Sequence, residues 1–457
     1  EKLSETKKES ALLLLKSKCW QKLIALKKEK ETQYQQTLTE ELKVIAQLNY
    51  ADYFLIFSDV AQHLRAENII VGPGRGSAVA SLVAYLLGIT QIDPLEHKLF
   101  FARFLNEKRK SLPDIDLDVE NQDEVFNYLQ KKYSKKQVAR IITRKKIGWK
   151  TSYPALFKLA EKIQNLYYDT GIHPAGIVIS TGSLVGLVPL KAEKDYLLAL
   201  FEENKLAELG LKKYDFLSLR ETLGLIREAR SILSTSLPDY QKISLTDQKT
   251  WDHLKNFLLT GIFQLDTPSA RTLFNRFRPQ SFVELVIFLS LNRPGTRKKA
   301  EELFQNKNAK IGFTSPAIRE ILTETYGLII FEEQISQILV LVYDCSFAEA
   351  EVKRRELPEK GLPKDFLTQA QKKITLTESK LIYQQINSSL GYTFNKAHAV
   401  AYSYLTYYIA YLKANFFSKL ITYFLNKKKE KELFYLQEAF FYGFQIKGPD
   451  INHSELE

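Results

Sequence analysis

Two stretches hold the residue types best suited to chemistry. Val71-Gly-Pro-Gly-Arg-Gly-Ser77 is a glycine-rich turn with one arginine and one serine, and it feeds an apolar run from Ala78 to Leu87. Its glycines permit positive φ and close approach of the backbone to a ligand. Backbone N–H groups at such a turn, next to a helix start, suit a phosphate. The second stretch, Ser111-Leu-Pro-Asp-Ile-Asp-Leu-Asp118, alternates strictly, which predicts a strand with Asp114, Asp116 and Asp118 on one face. Carboxylates that close together repel unless a positive charge lies between them, and a divalent metal is the usual answer. Leu209-Gly-Leu-Lys-Lys-Tyr-Asp-Phe-Leu217 then sets Asp215 in an apolar strand, with Lys213 two residues earlier on the same face. An aspartate in such surroundings is costly to bury unpaired. A metal shared with the earlier aspartates would satisfy it, and its strand could pair beside theirs. Phosphate cradle and carboxylate strand together point to phosphoryl or nucleotidyl transfer.

Two competing readings fail on spacing. The turn is not a Walker loop, because no Lys-Ser/Thr pair follows at the required place. The aspartate run is not an EF-hand, which needs Gly at its sixth position and Glu at its twelfth, where Val119 and Val125 stand.

The elements that must position these groups follow from the rest of the chain. Its 457 residues suffice for two to four domains, and 45% hydrophobic content makes it globular. A net charge of +12 suits a polyanionic partner. No apolar run reaches membrane-spanning length. With two cysteines and no signal peptide, the expected location is a reducing cytoplasm. The chain starts at Glu1 and contains no methionine, which reads as a fragment.

Residues 5–65 read as helices, with Tyr34, Leu38, Leu42, Ile45 and Leu48 on one apolar face. Between Lys131 and Lys150 stand nine Lys or Arg and no Asp or Glu, a block for which a nucleic-acid backbone is a natural counter-charge. Thr170-Gly-Ile-His-Pro-Ala-Gly-Ile-Val-Ile-Ser180 reads as a turn into a buried strand, with His173 more plausibly structural than ligating. From about 230 onward the chain reads as helical, with most tyrosines after 402 assigned to core.

Taken together, the motifs resemble the alpha subunit of bacterial DNA polymerase III, the C-family replicative polymerases. They occur in the family's order: Gly72-Pro-Gly-Arg-Gly-Ser77, Ser111-Leu-Pro-Asp-Ile-Asp116, His173-Pro-Ala-Gly176, Lys213-Tyr-Asp-Phe-Leu217, Gly261-Ile-Phe-Gln-Leu265, Arg293-Pro-Gly295, Glu333-Gln334, Arg354-Arg355 and Phe394-Asn-Lys-Ala-His398. The resemblance implies an α+β fold: a polymerase-beta-like nucleotidyltransferase palm, a reduced helical thumb and a large, mostly helical fingers domain. The implied boundaries are palm over 1–119 and 171–230, thumb over 120–170, fingers over 231–440, and the start of a helix-hairpin-helix region over 441–457.

The same resemblance implies a DNA-templated DNA polymerase that extends a primer 3′ end and releases pyrophosphate. Asp114, Asp116 and Asp215 map onto a trio holding two magnesium ions, with manganese as the alternative metal. Arg75, Gly76 and Ser77 resemble the binder of the incoming nucleotide's phosphates. Arg103, Arg109 and Lys213 resemble palm residues near those phosphates or the primer terminus. Arg293, Arg354, Arg355, Lys396 and His398 resemble fingers positions on the nucleotide and template side. Arg144, Lys145, Lys146 and Lys150 are the expected DNA grip. Implied partners are primer-template DNA, deoxynucleoside triphosphates and replisome subunits including a sliding clamp, at the bacterial nucleoid.

The family pattern is not followed throughout. No PHP domain precedes the palm, and the interval from Asp116 to His173 is short, hence the reduced thumb, weak DNA binding and low processivity expected here. A silent DNA-binding fragment and a non-templated nucleotidyltransferase are the alternative readings.

Overall fold

The structure is a computed structural model that describes residues 5–108, 113–146, 166–233, 238–293, 295–307, 312–427 and 429–445. Arg109 and Lys150 lie outside these residues, as does most of the 441–457 segment. The chain divides into two compact units, residues 1–90 with 112–224 and residues 91–111 with 225–457. The fold is mixed α+β.

The first unit is built on one mixed six-stranded sheet. Its strands are β1 (Asp116–Val119), β2 (Val138–Lys146), β3 (Tyr167–Ile179), β4 (Leu190–Ala192), β5 (Leu197–Ala199) and β6 (Lys212–Ser218), in the order β1-β6-β3-β2-β5-β4. β6 lies between β1, to which it is parallel, and β3, to which it is antiparallel. Helix Ala51–Ala66 buries Phe54 and Phe57, and the Phe57 ring lies 5.2 Å from Phe216 and 5.6 Å from Tyr214 of β6. A second cluster, including Ala139, Ile141, Val178, Leu184 and Leu206, packs against β2, β3 and β5. Strand register in turn fixes which side chains of β1 and β6 lie next to one another.

Two local expectations differ from the structure. The strand starts at Asp116, so Asp114 lies in the extended segment before it, just after Pro113, and is exposed. Among the described residues of the helical thumb expected over 120–170 there is one helix, Gln122–Tyr133, and residues 138–146 form β2 inside the sheet. Val138, Ala139, Ile141 and Ile142 are buried there, so the basic block is half core strand.

Among the described residues the second unit is helical, apart from an isolated bridge between Phe331 and Phe394. Its core includes Ile318, Leu322, Ile338, Leu339, Leu357, Phe366, Ile382 and Ile386. Helices Phe347–Lys360 and Leu376–Ser389 start with Ser346/Glu349 and Thr375/Glu378 capping boxes, which satisfy otherwise orphaned N–H groups. No described helix is long and apolar enough to cross a membrane.

Candidate active site

Strand register creates an acidic centre in the first unit. Asp116 of β1 stands opposite Asp215 of β6, so their side chains emerge as neighbours from adjacent strands. With Asp114 they form a group whose nearest carboxylate oxygens all lie within 4.8 Å of one another. Burial, then the charges of Asp114 and Asp215, push the Asp116 carboxyl up to about 7 against the pull of Arg75. Asp215 is raised as well, by burial, although Lys213 opposes the shift. Lys213 Nζ lies 3.0 Å from Asp215 Oδ2 and 2.6 Å from Glu203. Burial works against the Lys213 ammonium, yet these carboxylates leave its pKa raised. The other Asp215 oxygen, Oδ1, is buried without a hydrogen-bond partner. An all-oxygen donor set with an unsatisfied buried carboxylate oxygen fits a hard divalent cation such as magnesium.

The glycine turn lies against this centre. Gly72 donates its N–H to the Asp118 carbonyl at 2.8 Å, and a Cβ on Gly72 would come within 2.9 Å of Asp118 Cβ. Only glycine lets the turn seat on β1 this closely. Gly76 has φ of +65°, and a Cβ there would face Asp116 Oδ2 at 3.4 Å. Arg75 lies 3.2 Å from Asp118 and 3.8 Å from Asp116, so Asp118 anchors the arginine beside the centre. The apolar run after the turn is not one helix. Residues Gly76–Ala80 are 3₁₀, and Ser81 then caps the short helix Leu82–Leu86. Ser77 sits in the 3₁₀ turn.

Sequence reasoning missed several groups that organise this region. Glu41, fully buried, accepts from the Leu82 and Val83 N–H groups at 2.8 and 2.9 Å and from the Ser81 hydroxyl at 2.8 Å. It ties helix Thr32–Gln47 to the segment behind the glycine turn. The Tyr53 hydroxyl donates to the Lys213 carbonyl. His173 is structural on one side, because Nδ1 accepts from Gly176 N at 2.7 Å and Ala175 N at 3.2 Å. That leaves its proton on Nε2. Burial, followed by Lys213, lowers the His173 pKa.

Of the expected DNA grip, Arg144 stacks over the Tyr167 ring at 5.4 Å and Lys145 pairs with Asp169 at 2.8 Å. The basic block therefore does find acidic partners in space, since Lys132 pairs with Asp59 and Arg140 with Asp123. Lys146 is the last residue of β2.

The second unit gathers the remaining arginines. Glu351, fully buried, accepts from Arg354 through both oxygens at 2.8 Å and from Arg355 Nε at 3.0 Å. Arg103, placed by the resemblance in the palm, belongs to this second compact unit. It is hydrogen-bonded to Glu332 and lies 3.6 Å from Glu351. Lys396 pairs with Glu324 at 2.8 Å. Arg293 donates to the Tyr392 and Ser290 carbonyls and lies over the Phe394 ring. The His398 ring packs tilted against Tyr402, with ring centroids 4.1 Å apart.

Comparison with known proteins now decides the family. Residues 13–154 and 147–218 match the profile described as the bacterial DNA polymerase III alpha NTPase domain. Residues 218–376 match that of the bacterial DNA polymerase III alpha subunit finger domain. The chain belongs to the bacterial DNA polymerase III alpha family. It is 31% identical to the DNA polymerase III subunit alpha of Mycoplasma pneumoniae, over 93% of this chain and 56% of that protein. With the subunit of Bacillus subtilis it shares 32% identity over 93% of this chain and 44% of the relative. With that of Halalkalibacterium halodurans it shares 33% over 92% and 44%. The chain thus spans about half the length of the polymerase III alpha relatives it matches. The junction between the two family profiles, at residue 218, falls at the end of β6, close to the boundary between the two compact units.

Proposed function

We propose that this chain is the catalytic core of a DNA-templated DNA polymerase, with Asp114, Asp116 and Asp215 as the metal-holding carboxylates. The observation that carries the proposal is the convergence of these three carboxylates across β1 and β6, with one buried Asp215 oxygen unsatisfied. In this reading the first unit is the palm together with what remains of a thumb, and the second is the fingers.

Two magnesium ions held there would lower the pKa of a primer 3′-hydroxyl and offset charge developing during in-line displacement of pyrophosphate. The chain's own groups set the stage for that step. Asp116 and Asp215 are fixed by strand pairing, so they need no reorganisation to present their oxygens. Lys213 holds one Asp215 oxygen and keeps its other oxygen turned away. Gly76, at positive φ beside Asp116, brings backbone close enough for a phosphate to approach, with Ser77 and Arg75 as further donors. Arg103, Arg354, Arg355, Lys396, His398 and Arg293 serve the triphosphate and template, and the β2–β3 ribbon with Arg144 and Lys145 contacts the DNA backbone.

The test is extension of a primed template with magnesium, supplying one deoxynucleotide at a time. Addition only of the nucleotide complementary to the template supports the proposal. Addition of any nucleotide makes the chain a non-templated transferase. DNA binding without addition makes it a silent binder.

A further inference from the structure

We infer that Glu351 is a positioning residue for nucleotide binding, fixing the guanidinium groups of Arg354, Arg355 and Arg103 so that their remaining N–H donors face one anion. This rests on the reading of those arginines as triphosphate contacts. Glu351 is fully buried on helix Phe347–Lys360, while the side chain of Arg355 is 37% exposed. A buried carboxylate that accepts from two arginines of its own helix, three and four residues on, holds both side chains toward one helix face. Ser336 Oγ donates to Glu351 Oε2 at 3.1 Å, which fixes the carboxylate plane from the neighbouring helix Glu332–Tyr343. Arg354 is held bidentately, through Nε and Nη2.

The donor count shows what is left over. Arg355 uses only Nε on Glu351, and among the described residues its two terminal nitrogens have no partner. Arg103 directs Nε and Nη2 at Glu332, and Arg354 directs the same pair at Glu351. Three guanidiniums thus hydrogen-bond to only two carboxylates, so the cluster keeps several unused planar donors. Glu332 is partly exposed, at 20%, and can yield its arginine to an incoming anion. Glu351 has no such exposure and stays in place. Its role is therefore orientation, because the arginines would otherwise spread over their rotamers and repel one another.

Positioning and plain charge balance predict opposite signs for Glu351→Gln. Loss of a negative charge alone makes the cluster more cationic and tightens anion binding. Loss of orientation weakens it, since the amide N–H₂ takes the place of an oxygen that accepts from Arg354, and there a donor faces a donor. The experiment titrates inorganic tripolyphosphate into the chain in EDTA by calorimetry, so that a metal at the aspartates contributes nothing. The expected result is about tenfold weaker binding for Glu351→Gln and a similar loss for Arg355→Ala, with the circular dichroism of both unchanged. If Glu351→Gln does not fold, Ser336→Ala replaces it, with about twofold weaker binding expected because the carboxylate plane is freed. Equal or tighter binding in Glu351→Gln, or unchanged binding in Ser336→Ala, with Arg355→Ala still weakened, overturns the inference and leaves the nucleotide reading standing. Unchanged binding in Arg355→Ala overturns the nucleotide reading of this cluster, and the inference with it.

Discussion

The aspartate centre of the first unit and the arginine cluster of the second treat charge in opposite ways. At the centre, Asp114, Asp116, Asp118 and Asp215 face Arg75 and Lys213, so carboxylates outnumber cations and a buried oxygen stays unsatisfied. In the cluster, each arginine already has a carboxylate partner, and the burial that penalises Glu351 is more than offset by Arg354 and Arg103, so its pKa is lowered. In the proposed reading an added cation completes the first site. The second is assembled in advance and keeps donors to spare. Like charges gathered by strand register are relieved by a proton or a cation, whereas in a cluster built from opposite charges the cost appears when one partner is removed.

Four variants or conditions sharpen this contrast, from the largest effect to the smallest. Asp116→Asn should weaken manganese binding at least about a hundredfold, since even residues behind a metal ligand typically contribute ten- to a hundredfold. Electron paramagnetic resonance of free manganese reads this, and Glu351→Gln should leave it unchanged. Arg354→Ala should destabilise the second unit by about 3–5 kcal/mol, because it strands Glu351 in the interior with much of its pairing removed. Denaturant titration measures this cost, and a loss within experimental error would place Glu351 in water.

The third concerns pH. The folded Asp116 carboxyl, at about 7, lies above its ordinary value, so the folded state binds a proton that the unfolded chain has released. Stability from this group is full below the ordinary aspartate range and declines as pH rises toward 7. Melting in EDTA should fall across that window, and magnesium should flatten the slope by favouring the ionised form. The smallest effect belongs to Lys145→Ala. Its pair with Asp169 is exposed, so the denaturation midpoint should stay where it is. The salt slope of DNA binding should drop by about one unit, as for a single lost phosphate contact.

The legibility of the two regions in sequence also differs. The DxD alternation and the lone Asp215 in an apolar strand were readable, as was the pairing of their strands, because period-2 patterning survives in the chain itself. The start of the strand was not, since Pro113 and the exposed Asp114 continue the alternation without joining the ladder. β2 was hidden because its lysines and arginines dominated the apolar residues between them. In the second unit the basic residues were visible one by one, but Arg103 and Glu332 are separated by more than two hundred residues, and no local pattern announces such a pair. Glu351, three residues before Arg354, was the one partner that spacing alone could have supplied.

The most direct test of the central claim is primer extension by the parent chain and by Asp215→Asn, side by side, with magnesium and all four deoxynucleotides. The account predicts template-directed products from the parent, their loss in the variant, and unchanged affinity for the primed template. Extension undiminished in Asp215→Asn would contradict it, because the carboxylate at the heart of the centre would then have no part in the chemistry.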